Sequence, residues 1–213
     1  GGSFDDVREA VKHLGVTVTK DIILHSEVIR SIKKLAPMGF EYELCEFDHH
    51  SSVVNMVFHD IYHKVYGTRA PEQYGVVTLL HDIGKLLLFC CLPDKYRDID
   101  SEQTSEREVV AKERAALCID HCMMGAYLAS YWSLPLVVQE ICLYHHHYSE
   151  SSNLHRKLVA LISLSDAVAA YIAEDVTLRG VGSELAFLGL TQGDIEGLCK
   201  KHGWCRIKGG VSE

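Results

Sequence analysis

The stretch VVTLLHDIGKLLLFCCL, residues 76 to 92, places a histidine and an aspartate between two strongly apolar runs. An ionised carboxylate inside such a run is costly to bury unless it is paired, neutralised or bound to a metal. Asp82 therefore requires a partner from elsewhere in the chain. Two other apolar runs pose the same problem, because Asp166 lies within LVALISLSDAVAAYI and His145 and His146 end LVVQEICLYHH. A helix cap or a satisfied core polar group explains each alone, but their coincidence favours one shared site.

Apolar residues recur at helical spacing along nearly the whole chain, and Gly and Pro mark the ends of the segments. The predicted helices cover residues 4–14, 21–35, 41–66, 71–80 and on into HDIGK, a first turn from 93 followed by a polar break, 105–117, 121–131, 135–146, 154–173, and a last short helix capped by Thr191. Alternation with period two occurs only in VTVT, residues 16 to 19, which is too short to count as evidence for a sheet. The sequence predicts an all-α protein, a compact multi-helix bundle.

The composition argues against several classes of protein. A net charge of −8 disfavours non-specific binding to nucleic acid or to an anionic membrane, although a local basic pocket for phosphate remains open. Charges punctuate the apolar runs, so we expect no membrane helix, and no secretory signal is visible. Eight cysteines in 213 residues, several in apolar contexts, are typical of free thiols and predict a reducing, cytoplasmic setting.

Histidine is abundant, with 13 residues in the chain, and the candidate metal ligands combine imidazoles with carboxylates. They are, in chain order, His50, His81, Asp82, His121, His145, His146 and Asp166. They fall on different predicted helices, which is how helical bundles build internal metal sites. Such ligands favour one or two divalent transition ions (Fe, Mn, Ni or Zn) over Ca. Histidines with bridging carboxylates can hold two ions about 3.5–4 Å apart, as in phosphate-ester hydrolases.

Three other features receive simpler interpretations. The second His-Asp dipeptide, His59 and Asp60, has an exposed-looking helical phase and no following Gly-Lys, so we predict that it lies outside the site. Cys118 and Cys122 form a Cys-x-x-x-Cys pair without a second pair at zinc spacing, which is a weak signal. His121 stands four residues before a glycine, a spacing that also occurs where helices simply pack closely.

Several segments resemble the HDOD branch of the HD phosphohydrolase superfamily. They are HDIGK, the stretch ERAALCIDHCMMGAYLASYWSLPLVVQEICLYHH from residue 113 to 146, and LISLSDAVAA, with FDDVREAVKHLGV and FDHHSSVV upstream. The resemblance covers residues 4 to 198 and lacks the helical portion that usually precedes FDDVREAVKHLG. It implies N-terminal helices over 1–40, an HD-like helical core with the metal site over 41–180, and an appended C-terminal helix over 181–213.

The resemblance implies a bacterial signal-transduction domain with a signalling protein as partner. The seven candidate ligands match, position by position, the set that the related HD-GYP phosphodiesterases use for a multinuclear metal centre. Lys85 matches the lysine that holds a substrate phosphate there, although a helix-end charge is an equally good interpretation. HYSESSNL, residues 147 to 154, replaces the Glu and the Gly-Tyr-Pro turn of HD-GYP, which argues against cyclic-di-GMP hydrolysis.

Two functions therefore stay open. The first is a signalling domain of the HDOD type with a retained HD-type metal centre. The second is a metal-dependent phosphohydrolase acting on a nucleotide, a cyclic nucleotide or another phosphorylated small molecule, in which Asp82 and Lys85 are catalytic and the metals activate water.

Overall fold

The computed structural model describes residues 26, 27, 29–34, 40–71, 74–100, 106–174 and 180–202. Every regular element in these ranges is helical, so the predicted all-α class is confirmed. The helices are α1 (Glu41–Tyr66), α2 (Tyr74–Leu80), α3 (Ile83–Cys91), α4 (Pro93–Asp100), α5 (Glu106–Leu117), α6 (His121–Tyr131), α7 (Leu136–Tyr144), α8 (Arg156–Glu174), α9 (Gly182–Leu188) and α10 (Gln192–His202), with a 3-10 turn at Tyr148–Glu150. Residues 29–33 are also helical, whereas the predicted helix 4–14 lies outside the described residues.

Helix α1 has the bounds that the sequence predicts, and it packs against α8. Its buried residues are spaced three and four apart along one face: Leu44, Phe47, Ser51, Val54, Val57, Phe58 and Ile61. The helix ends where Gly67 adopts a left-handed conformation, with φ of 70°, and its N–H bonds to the carbonyl oxygen of His63. Glycine takes this conformation without the steric cost of a Cβ, which explains the abrupt end.

The predicted helix that continues from residue 71 through HDIGK is wrong at one point. The chain forms α2, then a turn at His81 and Asp82, and then a new helix, α3. Asp82 stands at the N-cap of α3, yet its carboxylate makes no capping hydrogen bond. An aspartate at this position usually accepts a bond from the first turn. Here the carboxylate turns toward histidines of other helices instead, so the break in the helix serves the site.

By length and composition alone, Tyr74–Cys91 could cross a membrane, with a mean hydropathy of 1.5 over 18 residues. The sequence analysis did not anticipate this stretch. Of this window, 61% is buried inside the protein, and the turn at His81 and Asp82 divides it. Such burial is typical of the central helices of a globular fold.

Helix α3 lies unusually close to α6 because glycines face each other at the crossing. A Cβ on Gly84 would lie 1.9 Å from the carbonyl oxygen of His121 and 2.7 Å from the backbone nitrogen of Gly125. A Cβ on Gly125 would in turn lie 3.3 Å from the Cβ of Cys142, which belongs to α7. The absence of side chains at both glycines therefore lets the His-Asp turn approach the start of α6.

The C-terminal helices α9 and α10 join the same hydrophobic core. Their buried residues, with those that flank them, are Val181, Leu185, Leu188, Leu190, Ile195 and Cys199. Thr191 caps α10 as predicted, since its hydroxyl accepts from the Asp194 N–H at 3.2 Å and the Asp194 carboxylate accepts from the Thr191 N–H at 2.9 Å. This reciprocal pair is a capping box. Helix α9 was not predicted, and the division at residue 181 stays a prediction.

Candidate metal centre

All seven candidate ligands meet in the interior of the bundle. His50 comes from the middle of α1, His81 and Asp82 from the turn before α3, and His121 from the first position of α6. The remaining three, His145, His146 and Asp166, come from the end of α7 and from α8. Apart from half-buried His50, each of these residues is 5% exposed or less. Five segments that are distant in sequence thus supply one cluster.

Asp82 lies at the centre of the cluster and faces histidines on both sides. Its Oδ1 is 3.1 Å from Nε2 of His145 and 3.5 Å from Nε2 of His121. Its Oδ2 is 3.6 Å from Nε2 of His81 and 3.8 Å from Nε2 of His50. Because each oxygen addresses a different pair of imidazoles, the carboxylate stands between two halves of the site.

Asp166 lies on the side of the site that contains His50 and His81. Its Oδ1 lies 2.9 Å from Nε2 of His50 and 3.5 Å from Nε2 of His81, while its Oδ2 lies 3.8 Å from Nδ1 of His146. One group of possible ligands is thus His50, His81, Asp82 and Asp166, and the other is His121, Cys122, His145 and His146. Within each group the ligand atoms lie within 4.8 Å of one another.

Three of the imidazoles are oriented by bonds on their far side. Nδ1 of His81 donates to the carbonyl oxygen of Thr78 at 2.7 Å, and Nδ1 of His145 to that of Cys142 at 2.9 Å. Nδ1 of His121 donates to Glu113, as described below. With Nδ1 engaged in this way, each ring turns its Nε2 toward Asp82. Outer bonds of this kind fix the tautomer of metal-binding histidines.

Several inward-facing atoms of the cluster lack an ordinary hydrogen-bond partner. Nε2 of His81 is buried and has no hydrogen-bond partner. Nε2 of His121 and Nε2 of His146 lie 3.1 Å apart, and Nε2 of His145 lies 3.1 Å from Oδ1 of Asp82. Such contacts are satisfied only by a proton or a cation between the two atoms, because buried polar groups otherwise lose their bonds to water. The donor set fits a divalent transition metal.

The carboxylates of the site stay ionised. Burial would raise the pKa of Asp82, but Lys85, His81 and the hydrogen bond to His145 hold it well below 3.8. Burial would likewise raise the pKa of Asp166, and the hydrogen bond with His50 and the nearby His81 ring keep that pKa well below 3.8 as well. Ionised carboxylates are the form that binds a metal.

The imidazole of His146 stays neutral. Burial lowers its pKa well below 6.5, and the neighbouring His145 and His121 lower it further. A neutral ring keeps a lone pair for a cation. Together with Asp82 and Asp166, His146 therefore offers its ligand atoms in the protonation state that a metal needs.

The comparison with protein families is consistent with this arrangement. Residues 2–148 match the model of the HDOD domain, which is more than half of the chain. The chain belongs to the HDOD domain family. The resemblance of the quoted segments to this family is thereby confirmed. No curated protein matches the chain.

Solved structures share the fold of this HDOD domain. A candidate phosphohydrolase from Shewanella amazonensis SB2B superimposes with a TM-score of 0.69 at 22% identity, covering 95% of this chain and 75% of that one. An HDOD domain protein of unknown function from Geobacter sulfurreducens gives 0.66 at 19%, covering 95% and 67%. The MmoQ response regulator from Methylococcus capsulatus str. Bath gives 0.53 at 19%, covering 73% of this chain. This HDOD domain spans only 60% of the response regulator.

The side chains predicted to lie outside the site do so. Asp60 pairs with His202 at 3.2 Å, and His59 is exposed on α1. His59 lies nine positions after His50, so the two side chains leave the helix on opposite faces. Cys118 is exposed, whereas Cys122 is buried within the second ligand group. Cys122 was not predicted as a ligand, because the signal from the sequence is a cysteine beside a histidine and not a pair of cysteines at zinc spacing.

Lys85 lies at the edge of the cluster in this HDOD domain. Its Nζ is 2.7 Å from Oδ2 of Asp82 and 2.9 Å from Oε2 of Glu106, and its side chain is 20% exposed. Burial would lower the pKa of Lys85, but the two carboxylates raise it well above 10.5. The ammonium group is therefore charged and belongs to the site rather than to a solvated helix end. Sequence reasoning missed Glu106, since no motif joins it to HDIGK.

Glu113 lies behind His121 in the candidate site, and the resemblance assigned it no role. Its Oε2 accepts from Nδ1 of His121 at 2.7 Å and from the His121 backbone N–H at 2.8 Å. Its Oε1 accepts from the hydroxyl of Tyr96 at 2.9 Å, and the side chain is fully buried. A carboxylate behind a metal-binding imidazole raises the basicity of the ring and fixes its direction.

We expect Glu113→Gln to weaken metal binding about 10- to 100-fold, because the neutral amide supports the His121 ring less well than a carboxylate does. Tyr96→Phe is the matched control, since it removes one bond to Glu113 and leaves its charge in place. Competition with a chromogenic chelator measures both affinities. Equal losses in the two variants would contradict a specific role of the carboxylate charge.

Proposed function

We propose that this HDOD domain is a bacterial signal-transduction module that retains an HD-type metal centre. One observation carries the proposal: two buried, ionised carboxylates and five imidazoles direct their ligand atoms at one another around Asp82. The similarity to a response regulator supports a signalling context. In such a context the domain would act through a protein partner.

A cluster of buried charges is energetically unfavourable to keep without a use. Replacing buried charges by well-packed apolar side chains is often neutral or stabilising, so a domain that only bound a partner would gain little from this set. The site also requires a fully buried glutamate behind His121 and a glycine crossing to bring the His-Asp turn to α6. Retention of ligands together with their supporting residues favours a metal that the domain uses.

Elemental analysis of the protein, purified without a metal-affinity column, tests this proposal. We expect about one or two Fe, Mn, Ni or Zn ions per chain, and loss of them in Asp82→Ala. Asp60→Ala is the matched control, because Asp60 belongs to the second His-Asp dipeptide on the outside of α1. Circular dichroism must show that both variants keep their helices. A folded wild-type protein without metal, before and after incubation with these ions, would overturn the proposal.

A second function, metal-dependent phosphohydrolase, has its own supporting observation. Lys85 is a charged group at the more exposed edge of the cluster, 2.7 Å from the central carboxylate. An ammonium group in this place is suited to a phosphate oxygen. If the protein is such an enzyme, the ions would be held by His50, His81, Asp82, Asp166 and the second ligand group. They would lower the pKa of bound water and so supply a nucleophile.

Hydrolysis of a panel of nucleotide and cyclic-nucleotide phosphoesters by the metal-loaded protein tests the second function. We expect a true activity to disappear in Asp82→Ala while metal-free contaminants give the same background in both proteins. Lys85→Met is expected to raise KM for the substrate and to leave the metal content unchanged. Turnover that survives Asp82→Ala would exclude this site as its source.

A further inference from the structure

Glu106, the first residue of α5, is the acidic group at the open edge of the cluster. Its Oε2 lies 2.9 Å from Nζ of Lys85 and 3.7 Å from Nε2 of His146. The Glu106 side chain is 31% exposed and that of Lys85 is 20% exposed, whereas His146 is 5% exposed. A carboxylate oxygen thus sits between a surface-reachable cation and a buried imidazole.

The position of this oxygen is one that a phosphate oxygen can also take. Ammonium groups bind carboxylate and phosphate oxygens at the same distance, about 2.7–2.9 Å. Asp82 cannot leave Lys85 without giving up its central position, but Glu106 touches only the edge. A phosphate that reaches Lys85 must therefore either displace Glu106 or accept a carboxylate beside its own negative charge.

We propose that the Glu106 carboxylate occupies the position beside Lys85 and His146 in which the phosphate group of a ligand binds. The bound phosphate displaces this carboxylate. This exchange favours ligands that carry a phosphate dianion, such as a phosphomonoester or inorganic phosphate. A dianion gains more from Lys85 than the departing monoanionic carboxylate loses, whereas a monoanion such as acetate gains nothing by the exchange. The inference rests on the proposed function, because it concerns the ligand of the same site.

The exchange also gives Glu106 a place in regulation. While the Glu106 carboxylate is paired with Lys85, weakly binding anions do not bind at the site. When a dianion displaces it, the start of α5 loses one of its contacts with the core. Ligand occupancy at the cluster would thus be transmitted to the position of α5 at the surface.

Calorimetric titration of inorganic phosphate tests the inference on wild type, Glu106→Gln and a control, Glu108→Gln. Glu108 is exposed in the same first turn of α5, so its substitution changes the charge of that turn equally. We expect Glu106→Gln to bind phosphate about tenfold more tightly and Glu108→Gln to stay within about twofold of wild type. The double variant Glu106→Gln/Lys85→Met should lose the gain.

Each titration is made on Mn²⁺-loaded and on metal-stripped protein, with the metal content measured in parallel. A gain in affinity in either state, dependent on Lys85, supports the inference. Equal phosphate affinity of wild type and Glu106→Gln in both states overturns it. A loss of bound metal in Glu106→Gln also overturns it, since Glu106 would then be a ligand. A wild-type protein that never holds metal contradicts the proposed function alone, because the metal-stripped titrations still decide the role of Glu106.

Discussion

Gly84→Ala is expected to separate α3 from α6 and to disrupt the candidate metal centre. The new Cβ would lie 1.9 Å from the carbonyl oxygen of His121 and 2.7 Å from the nitrogen of Gly125. Both are backbone atoms, so no side chain can rotate away and the helices themselves must move apart. Inserting one methyl group into a packed core typically costs about 1–3 kcal/mol, and a clash with backbone belongs at or above the upper end.

Thermal unfolding and metal affinity measure the two consequences separately. The matched control is Gly197→Ala in α10, where a Cβ would have nothing within 4 Å. That substitution is expected to be neutral or to stabilise the protein by up to about 1 kcal/mol, as alanine favours helices. If Gly84→Ala unfolded at the wild-type temperature and bound metal normally, the close crossing would not be needed to position the His-Asp turn.

Metal affinity is expected to rise about tenfold for each pH unit between pH 6.5 and 8.5, because a metal must displace a proton from His121. Burial would lower the pKa of His121, but the Cys122 sulfur, the hydrogen bond with Glu113 and the charge of Asp82 raise it to about 10. Nδ1 already donates to Glu113, so the titrating proton sits on Nε2, 3.1 Å from Nε2 of His146. This is the nitrogen that a metal would bind.

The same proton stabilises the metal-free fold. Its contribution is fully present below pH 6.5, the ordinary value for histidine, and is lost as the pH rises through about 10. The metal-free protein should therefore become less stable toward alkaline pH while the affinity for metal increases. Calorimetry in buffers of different ionisation enthalpy counts the protons released, and we expect about one from His121 at pH 7.5. An affinity independent of pH would show that His121 carries no proton to displace.

Much of the fold could be predicted from local patterns. Helix α1 follows from its 3-4 spacing and from Gly67, and α6 begins at His121 where Asp120 caps it by accepting from the Met123 N–H at 2.7 Å. The meeting of His81, Asp82, His145, His146 and Asp166 followed from their polarity within apolar runs, whereas His50 and His121 match the ligand set that the resemblance implies. A polar group that is buried away from water must pair with another polar group, and the interior of a small helical bundle has few positions where such pairs can form.

The rest depends on tertiary contacts that leave no local signal. The turn at Asp82 is invisible to hydrophobic periodicity, because the apolar pattern continues on both sides of it. Glu106 and Glu113 lie on an ordinary charged helix, and only the packing of α5 against its neighbours distinguishes them from the other acidic residues there. Gly84 is one residue of the HDIGK motif, whereas the closeness of its Cβ position to the His121 carbonyl oxygen depends on the helix crossing.

The ligands are widely separated along the chain, and this has a consequence for folding. His50 and Asp166 are 116 positions apart, so an ion that joins them ties α1 to α8. No part of the chain alone can form this connection, and the unfolded chain would bind the ion weakly. Binding confined to the folded state stabilises it by RT ln(1 + [L]/Kd), about 2.7 kcal/mol at a hundredfold excess over Kd. The supply of metal would then set how long the domain survives proteolysis, whatever else the ion does.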